Sequence, residues 1–151
     1  MLQAKLAQLG IEIVRQETGY GSYVPAKRVG NLVYVSGQLP MKDGTLIATG
    51  PVPTNASIEL AQQAARQCVV NALCAVETLP GGVAMLKSVV RVGAFVQSAD
   101  GFADQPKIAN AASDLLIELF GEAGRHARAA VGTNALPLNA SVEIEFLFEA
   151  E

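Results

Sequence analysis

The side chain best equipped for chemistry in this sequence is Arg128, set in the small-residue run Ala127-Arg128-Ala129-Ala130-Val131-Gly132. An arginine presents a planar, permanently charged fork that matches a carboxylate or a phosphate bidentately. The flanking alanines and glycine leave room for a ligand to come close to the backbone. The run therefore reads either as an anion clamp or as a surface charge on a strand. A Leu136-Pro137 turn follows, and then an alternating segment in which Val142, Ile144, Phe146 and Phe148 take one face and Glu143, Glu145 and Glu149 the other. That is the period of a strand with one buried face.

Other chemistries find no support. One histidine and two cysteines do not make a zinc site when both cysteines belong to a single helical pattern. No G-x-S-x-G elbow, P-loop or dinucleotide fingerprint is present. His126 is the only histidine, so any Ser-His or Cys-His pair would depend on it; in a turn between Arg125 and Arg128 it reads as a solvated loop residue. A net charge of −3 without a Lys/Arg cluster argues against binding through nucleic-acid phosphates, and so does the lack of aromatic residues interleaved with basic ones.

The elements that must position these residues are legible from periodicity. At 151 residues, half of them hydrophobic, the chain has enough apolar surface for one core and is too short for two ordinary domains. Leu2, Leu6 and Leu9 have helical spacing and Gly10 follows them; residues 11–14 suggest a short extended piece. Residues 1–22 read as a helix and loop extension, with Tyr20 and Tyr23 as candidate ligand walls. Residues 24–37 predict a hairpin turning at Gly30-Asn31, its second strand apolar on both faces. A turn-rich stretch over residues 41–55 precedes a helix from about Ser57 to Leu79 with a stripe of small side chains at Ala61, Ala65, Cys68, Ala72 and Ala75. A long strand over residues 86–98, a second helix over residues 105–120 and strands near 127–132 and 141–149 complete the order. This is an α+β arrangement with two helices on one face of a mixed sheet. Cys68 and Cys74 point to different faces of one helix and cannot pair within it. Unpaired thiols, no secretory segment and no apolar run of about 18 residues lead to the expectation of a soluble cytoplasmic protein.

With these elements in place, the sequence resembles the RidA/YjgF family, the reactive enamine/imine deaminases also called the endoribonuclease L-PSP family. The resemblance runs from about Tyr23 to Ile144. It rests on Arg128, Val131, Leu136 and the triplet Val142-Glu143-Ile144 in matched spacing, and on Gly30-Asn31-Leu32 and Val35-Ser36-Gly37-Gln38-Leu39-Pro40 upstream. It implies a chorismate-mutase-like fold, a homotrimer with clefts between subunits, and hydrolysis of 2-imino acids to 2-keto acids and ammonia without a cofactor or metal. In that chemistry Arg128 holds the substrate carboxylate, Glu143 orients or deprotonates water, and Tyr23, Ser36, Gly37, Asn110 and the backbone at Ala130 contact the substrate. The expected ligand is a small carboxylate or imino acid, with no nucleic acid or membrane. The N-terminal helix and the loop over residues 99–106 are similar to the longer branch of the family. Departures lie close to the arginine: Ala130 stands where many members have cysteine, His126 where proline or alanine is usual, and Asn134 where a small or basic residue is. A non-catalytic carboxylate binder and, less favoured by the acidic charge, an endoribonuclease or translation inhibitor are the rival expectations.

Overall fold

The computed structural model describes residues 1–17 and 21–151; the expectation for Tyr20 falls outside them. Helix α1 (Leu2–Gln8) buries Leu2 and Leu6, and Gly10 takes the positive φ of 68° that turns the chain away. The stretch over residues 11–14 forms no strand. Ile11 and Ile13 pack on the core instead, and the Gln16 N–H donates to the Cys74 carbonyl at 3.1 Å. Strands β1 (Ala26–Val29) and β2 (Leu32–Gln38) make the hairpin, closed by Val29 opposite Leu32. The turn-rich stretch contains a further small hairpin, β3 (Met41–Lys42) and β4 (Thr45–Leu46), whose turn residues Asp43 and Gly44 both have positive φ.

Helix α2 (Ile58–Val76) starts where Ser57 Oγ accepts the Leu60 N–H at 3.1 Å, a cap worth about 1 kcal/mol. Its stripe Ala61, Ala65, Cys68, Ala72 and Ala75 is buried. Side chains this small let the helix axis lie close to the sheet. Strand β5 (Leu86–Gln97), helix α3 (Gln105–Phe120), strand β6 (Ala127–Thr133) and strand β7 (Val142–Ala150) follow.

The main sheet has the order β1-β2-β7-β5-β6, with β5 and β6 parallel and the other neighbours antiparallel. Alternation along the strands decides its two faces. Val33 and Val35 of β2, Val92, Ala94 and Val96 of β5, and Ile144, Phe146 and Phe148 of β7 are buried beneath α2 and α3. The opposite face carries Tyr34, Arg91, Glu145 and Val131. Among the described residues no layer lies over it, and Tyr34 and Val131 are 50% and 46% exposed. Strand β6 is also an edge, so one row of its backbone groups has no sheet partner among the described residues.

Candidate functional site

Arg128 is the second residue of β6 and stands in register with Val92, which lies under α3. Paired residues in a ladder point the same way, so the guanidinium runs beneath α3 rather than into solvent. Its Nη1 donates to Asn110 Oδ1 at 2.8 Å and to Ser113 Oγ at 3.2 Å. Asn110 and Ser113 are three apart on α3 and thus share a face of the helix. Behind Ser113 stands His126, whose Nε2 lies 2.9 Å from Ser113 Oγ and whose Nδ1 lies 2.6 Å from the Gly124 carbonyl.

A carbonyl can only accept, which assigns the proton to Nδ1 and leaves Nε2 of the neutral ring to accept the Ser113 hydroxyl. The lone pairs of Ser113 are then turned toward Arg128. Both protons of Nη1 are committed. Nε and Nη2, which form the side-on edge of the fork, have no partner among the described residues, and a carboxylate can dock on them bidentately. His126 is therefore not the solvated loop residue expected from sequence. The turn holding it is pressed onto α3, and a Cβ at Gly124 would collide with the Leu116 carbonyl and lie 2.9 Å from Ile117 Cα. Ser113 was not foreseen either. Its signal was a hydroxyl inside the apolar stripe Ile108, Ala112, Leu115, Leu116, three residues after Asn110.

Glu143 is opposite Phe95 of β5 and faces the uncovered side of the sheet. It meets a bulge in β2, where Val35 pairs with Phe146 but Gln38 pairs with Ile144, so Ser36 and Gly37 together oppose Glu145. The Glu143 carboxylate occupies the space where a Cβ of residue 37 would be. Burial, and then the like charge of Glu145, push its carboxyl above the ordinary value. Ser36 Oγ donates to the Val24 carbonyl at 2.7 Å and ties down the segment that carries Tyr23. Tyr23 and Gly37 line a cavity of about 490 Å³ on one side and one of about 510 Å³ on the other, the second running along the uncovered face.

This packing leads to a first expected result. The Gly37 backbone is not in the positive-φ region, so alanine fits there conformationally, and its methyl meets only the far end of a flexible side chain. Gly37→Ala should leave thermal stability within a few degrees of wild type while displacing the carboxylate. In the expected role of Glu143 as the group that directs water, a misplacement of about 1 Å would cost on the order of 10²-fold in rate. Paired melting curves and initial rates check this, and equal losses of stability and rate would contradict it.

Ala130 lies two residues after Arg128 on the same face of β6, opposite Ala94. Asn110 and Arg128 are thus brought together, and so are Tyr23, Ser36, Gly37 and Glu143, but the two groups are apart. Glu143 is level with Val131 across β5, three residues along β6 from Arg128. With about 4.8 Å between strands and about 3.3 Å per residue, their backbones are separated by roughly 14 Å. Their side chains also leave opposite faces of the sheet. Among the described residues no group of three or more His, Cys, Asp or Glu is arranged to hold a metal ion, and no helix is long and apolar enough to cross a membrane.

A family model described as "YjgF/chorismate mutase-like, putative endoribonuclease" matches residues 3–150. The chain is 39% identical over 150 residues to Protein TCP17 of Trypanosoma cruzi, covering 97% of this chain and 92% of that one. It is 35% identical over 132 residues to a 2-iminobutanoate/2-iminopropanoate deaminase of Dermatophagoides farinae, covering 87% of this chain and 88% of that one. A crystal structure of the protein Atu1372 from Agrobacterium tumefaciens, of unknown function, superposes with a TM-score of 0.89 at 41% identity, covering 99% of this chain and 92% of that one.

Proposed function

The chain belongs to the YjgF/chorismate mutase-like family, and from that membership we propose that it hydrolyses reactive 2-imino acids, and the enamines that tautomerise to them, to 2-keto acids and ammonia. The observation that carries this reading is the anchored fork of Arg128, whose side-on edge is left for a carboxylate. A relative 35% identical to this chain is named as a deaminase of such imino acids, which supports the same reaction class.

In the proposed reaction the Arg128 fork takes the substrate carboxylate and the backbone near Ala130 takes the imine end. Glu143 accepts a proton from water as the oxygen bonds to C2 and the C=N electron pair moves to nitrogen. The tetrahedral carbinolamine then collapses: Glu143 returns its proton to nitrogen, the C–N bond breaks and ammonia leaves with that electron pair. The C2 hydroxyl gives its proton to the Glu143 carboxylate as its O–H electron pair forms the ketone, and the proton then leaves with ammonia as ammonium. A protonated C=N is its own electron sink. A carboxyl whose affinity for protons is raised by burial is better suited to both transfers than an ordinary one.

One substrate must then touch Arg128 and Glu143, which a single chain holds on opposite faces of its sheet. We infer that each site is shared by two copies, Arg128 and Asn110 from one and Glu143, Gly37, Ser36 and Tyr23 from the next, in a closed ring such as a homotrimer. The uncovered sheet face and the unpaired edge of β6 are surfaces that such an assembly would cover. The ribonuclease reading gains little on that face, where Arg91 is already paired with Glu145 at 3.1 Å and Lys27 alone makes no basic cluster.

Generating 2-iminopropanoate enzymatically and following keto-acid formation tests the reaction; a rate equal to that in buffer overturns it. Co-expression of Arg128→Ala chains with Glu143→Gln chains tests the sharing. Random assembly leaves about a quarter of the shared sites with both native residues, so about a quarter of wild-type activity should return from two inactive parents. No recovery in verified mixed oligomers would place both residues' work within one chain.

A further inference from the structure

Helix α1 and the strap over residues 11–17 that follows it have no part in the reaction above, yet the strap is fastened to the element on which Glu143 rests. The anchor is Gln16. Its backbone N–H donates to the Cys74 carbonyl at 3.1 Å, a carbonyl of the last turn of α2, where helical partners run out. Both protons of its side-chain amide are used, one on Gln38 Oε1 at 2.8 Å and one on the Asn71 carbonyl at 2.9 Å. Asn71 is itself held, since its Nδ2 donates to the Leu39 and Met41 carbonyls, each at 2.9 Å, and its Oδ1 accepts from Gln67 Nε2 at 2.9 Å.

Gln38 carries this anchorage into the bulge. Its side chain is buried, and a buried amide must be matched at both ends. The oxygen takes the Gln16 proton, and Nε2 donates to the Ser36 carbonyl at 2.9 Å. The reverse orientation would set oxygen against the Ser36 carbonyl and nitrogen against Gln16 Nε2. Gln16 thus decides which way the Gln38 amide points. The bond from Gln38 to the carbonyl two residues back closes a ring around Gly37, in the stretch where the β2–β7 register shifts and the ladder alone does not fix the backbone. Gly37 is the residue whose missing Cβ leaves the space that the Glu143 carboxylate fills.

We propose that Gln16 and Gln38 are positioning residues for Glu143: the strap orients the Gln38 amide, Gln38 holds the bulge, and the bulge seats the carboxylate. Both act through Gly37 and need no contact with the substrate. The consequence for the rate rests on the deaminase reading; the seat itself does not. The N-terminal extension thereby gains a task in the site.

Methionine has the length of glutamine without its amide, so Gln38→Met and Gln16→Met remove the bonds and keep most of the packing. Displacing the carboxylate should lower kcat by about 10- to 100-fold in Gln38→Met, with KM within about twofold of wild type. Gln16→Met acts one step further away and should lower kcat by about three- to tenfold. Because the two act in series, the double variant should lose no more than Gln38→Met does. The titration of the Glu143 carboxyl, followed by carbon-13 NMR, gives a readout independent of turnover. Its raised value comes from burial first and Glu145 second. The titratable and charged groups around it are Glu145 of its own strand, Arg91 of β5 paired with Glu145, Tyr23 before β1 and Cys68 of α2. All are unchanged in these variants, so a loosened seat should admit water and move the midpoint toward the ordinary carboxylate range. Turnover by wild type, with kcat and titration unmoved in both folded variants, would overturn the proposal and leave the reaction standing. A rise in KM with kcat intact would also overturn it, by placing the glutamines on substrate binding. A moved titration without imine turnover would uphold the positioning role and remove the reaction. If Gln38→Met fails to fold, Gln16→Met, altered in a half-buried position of the strap, decides alone.

Discussion

Arg128→Ala should reduce kcat/KM for 2-iminopropanoate by about 10²–10³-fold, because truncating one partner of a hydrogen-bonded charge pair typically costs 2–5 kcal/mol. The substrate carboxylate is charged before and during the reaction. Its contact therefore contributes alike to the ground and transition states, and much of the loss should appear in KM. Arg128→Lys should restore little, since an ammonium cannot make the parallel pair of bonds offered by Nε and Nη2. Ser113→Ala provides a graded control. It removes one of the two acceptors that hold Nη1 and cuts the link to His126, and a roughly three- to tenfold rise in KM with little change in kcat is expected for a residue that only positions the fork. Initial rates over a range of substrate concentrations separate these cases. An unchanged rate in Arg128→Ala would show that the clamp is not used.

Glu143→Gln should move activity and stability in opposite directions. Removing a general base costs about 10²–10⁴-fold in rate. The stability sign comes from the raised carboxyl, whose cause is burial first and Glu145 second. Above the unfolded value and through the folded one, the native state binds more of the proton than the unfolded state does, so stability falls as pH rises across that window. Above that window wild type carries a partly desolvated charge that the glutamine variant lacks. Across a pH series the variant should melt at a higher temperature than wild type at the alkaline end and lose that advantage in acid, where Glu143 is protonated. In wild type the deaminase rate should climb with pH through the same raised value. A variant less stable than wild type at the alkaline end, with packing intact, would contradict the desolvation argument.

Local rules carried most of the fold. The small-residue stripe of α2, the alternation in β5 and β7, the Gly30-Asn31 turn and the Gln105–Phe120 helix are each decided by neighbours a few residues away, and each was legible from period and turn chemistry. Residues 11–14 were not: their apolar side chains suit a strand, but Ile11 and Ile13 pack on the core without pairing to one. The strand order also lay beyond local reading, since placing β7 between β2 and β5 depends on pairings far apart in sequence.

For the site, the order of residues was enough to give the chemical types and their spacing: an arginine among small residues, a glutamate on the polar face of its strand, and a Ser-Gly step at a strand end. Their surroundings came from the packing of distant elements, the work of the folded chain. It turned Arg128 under α3 and gave its Nη1 to Asn110 and Ser113, and it stationed His126 behind them. It laid Glu143 on the bulge at Gly37, and it separated the two charged groups across β5. The reason is that a side chain's face follows from its own strand's period, whereas its neighbours follow from which strands and helices lie beside it. Of the clamp at Arg128, sequence could show the charge; register and packing determined which edge of the fork is left for a ligand.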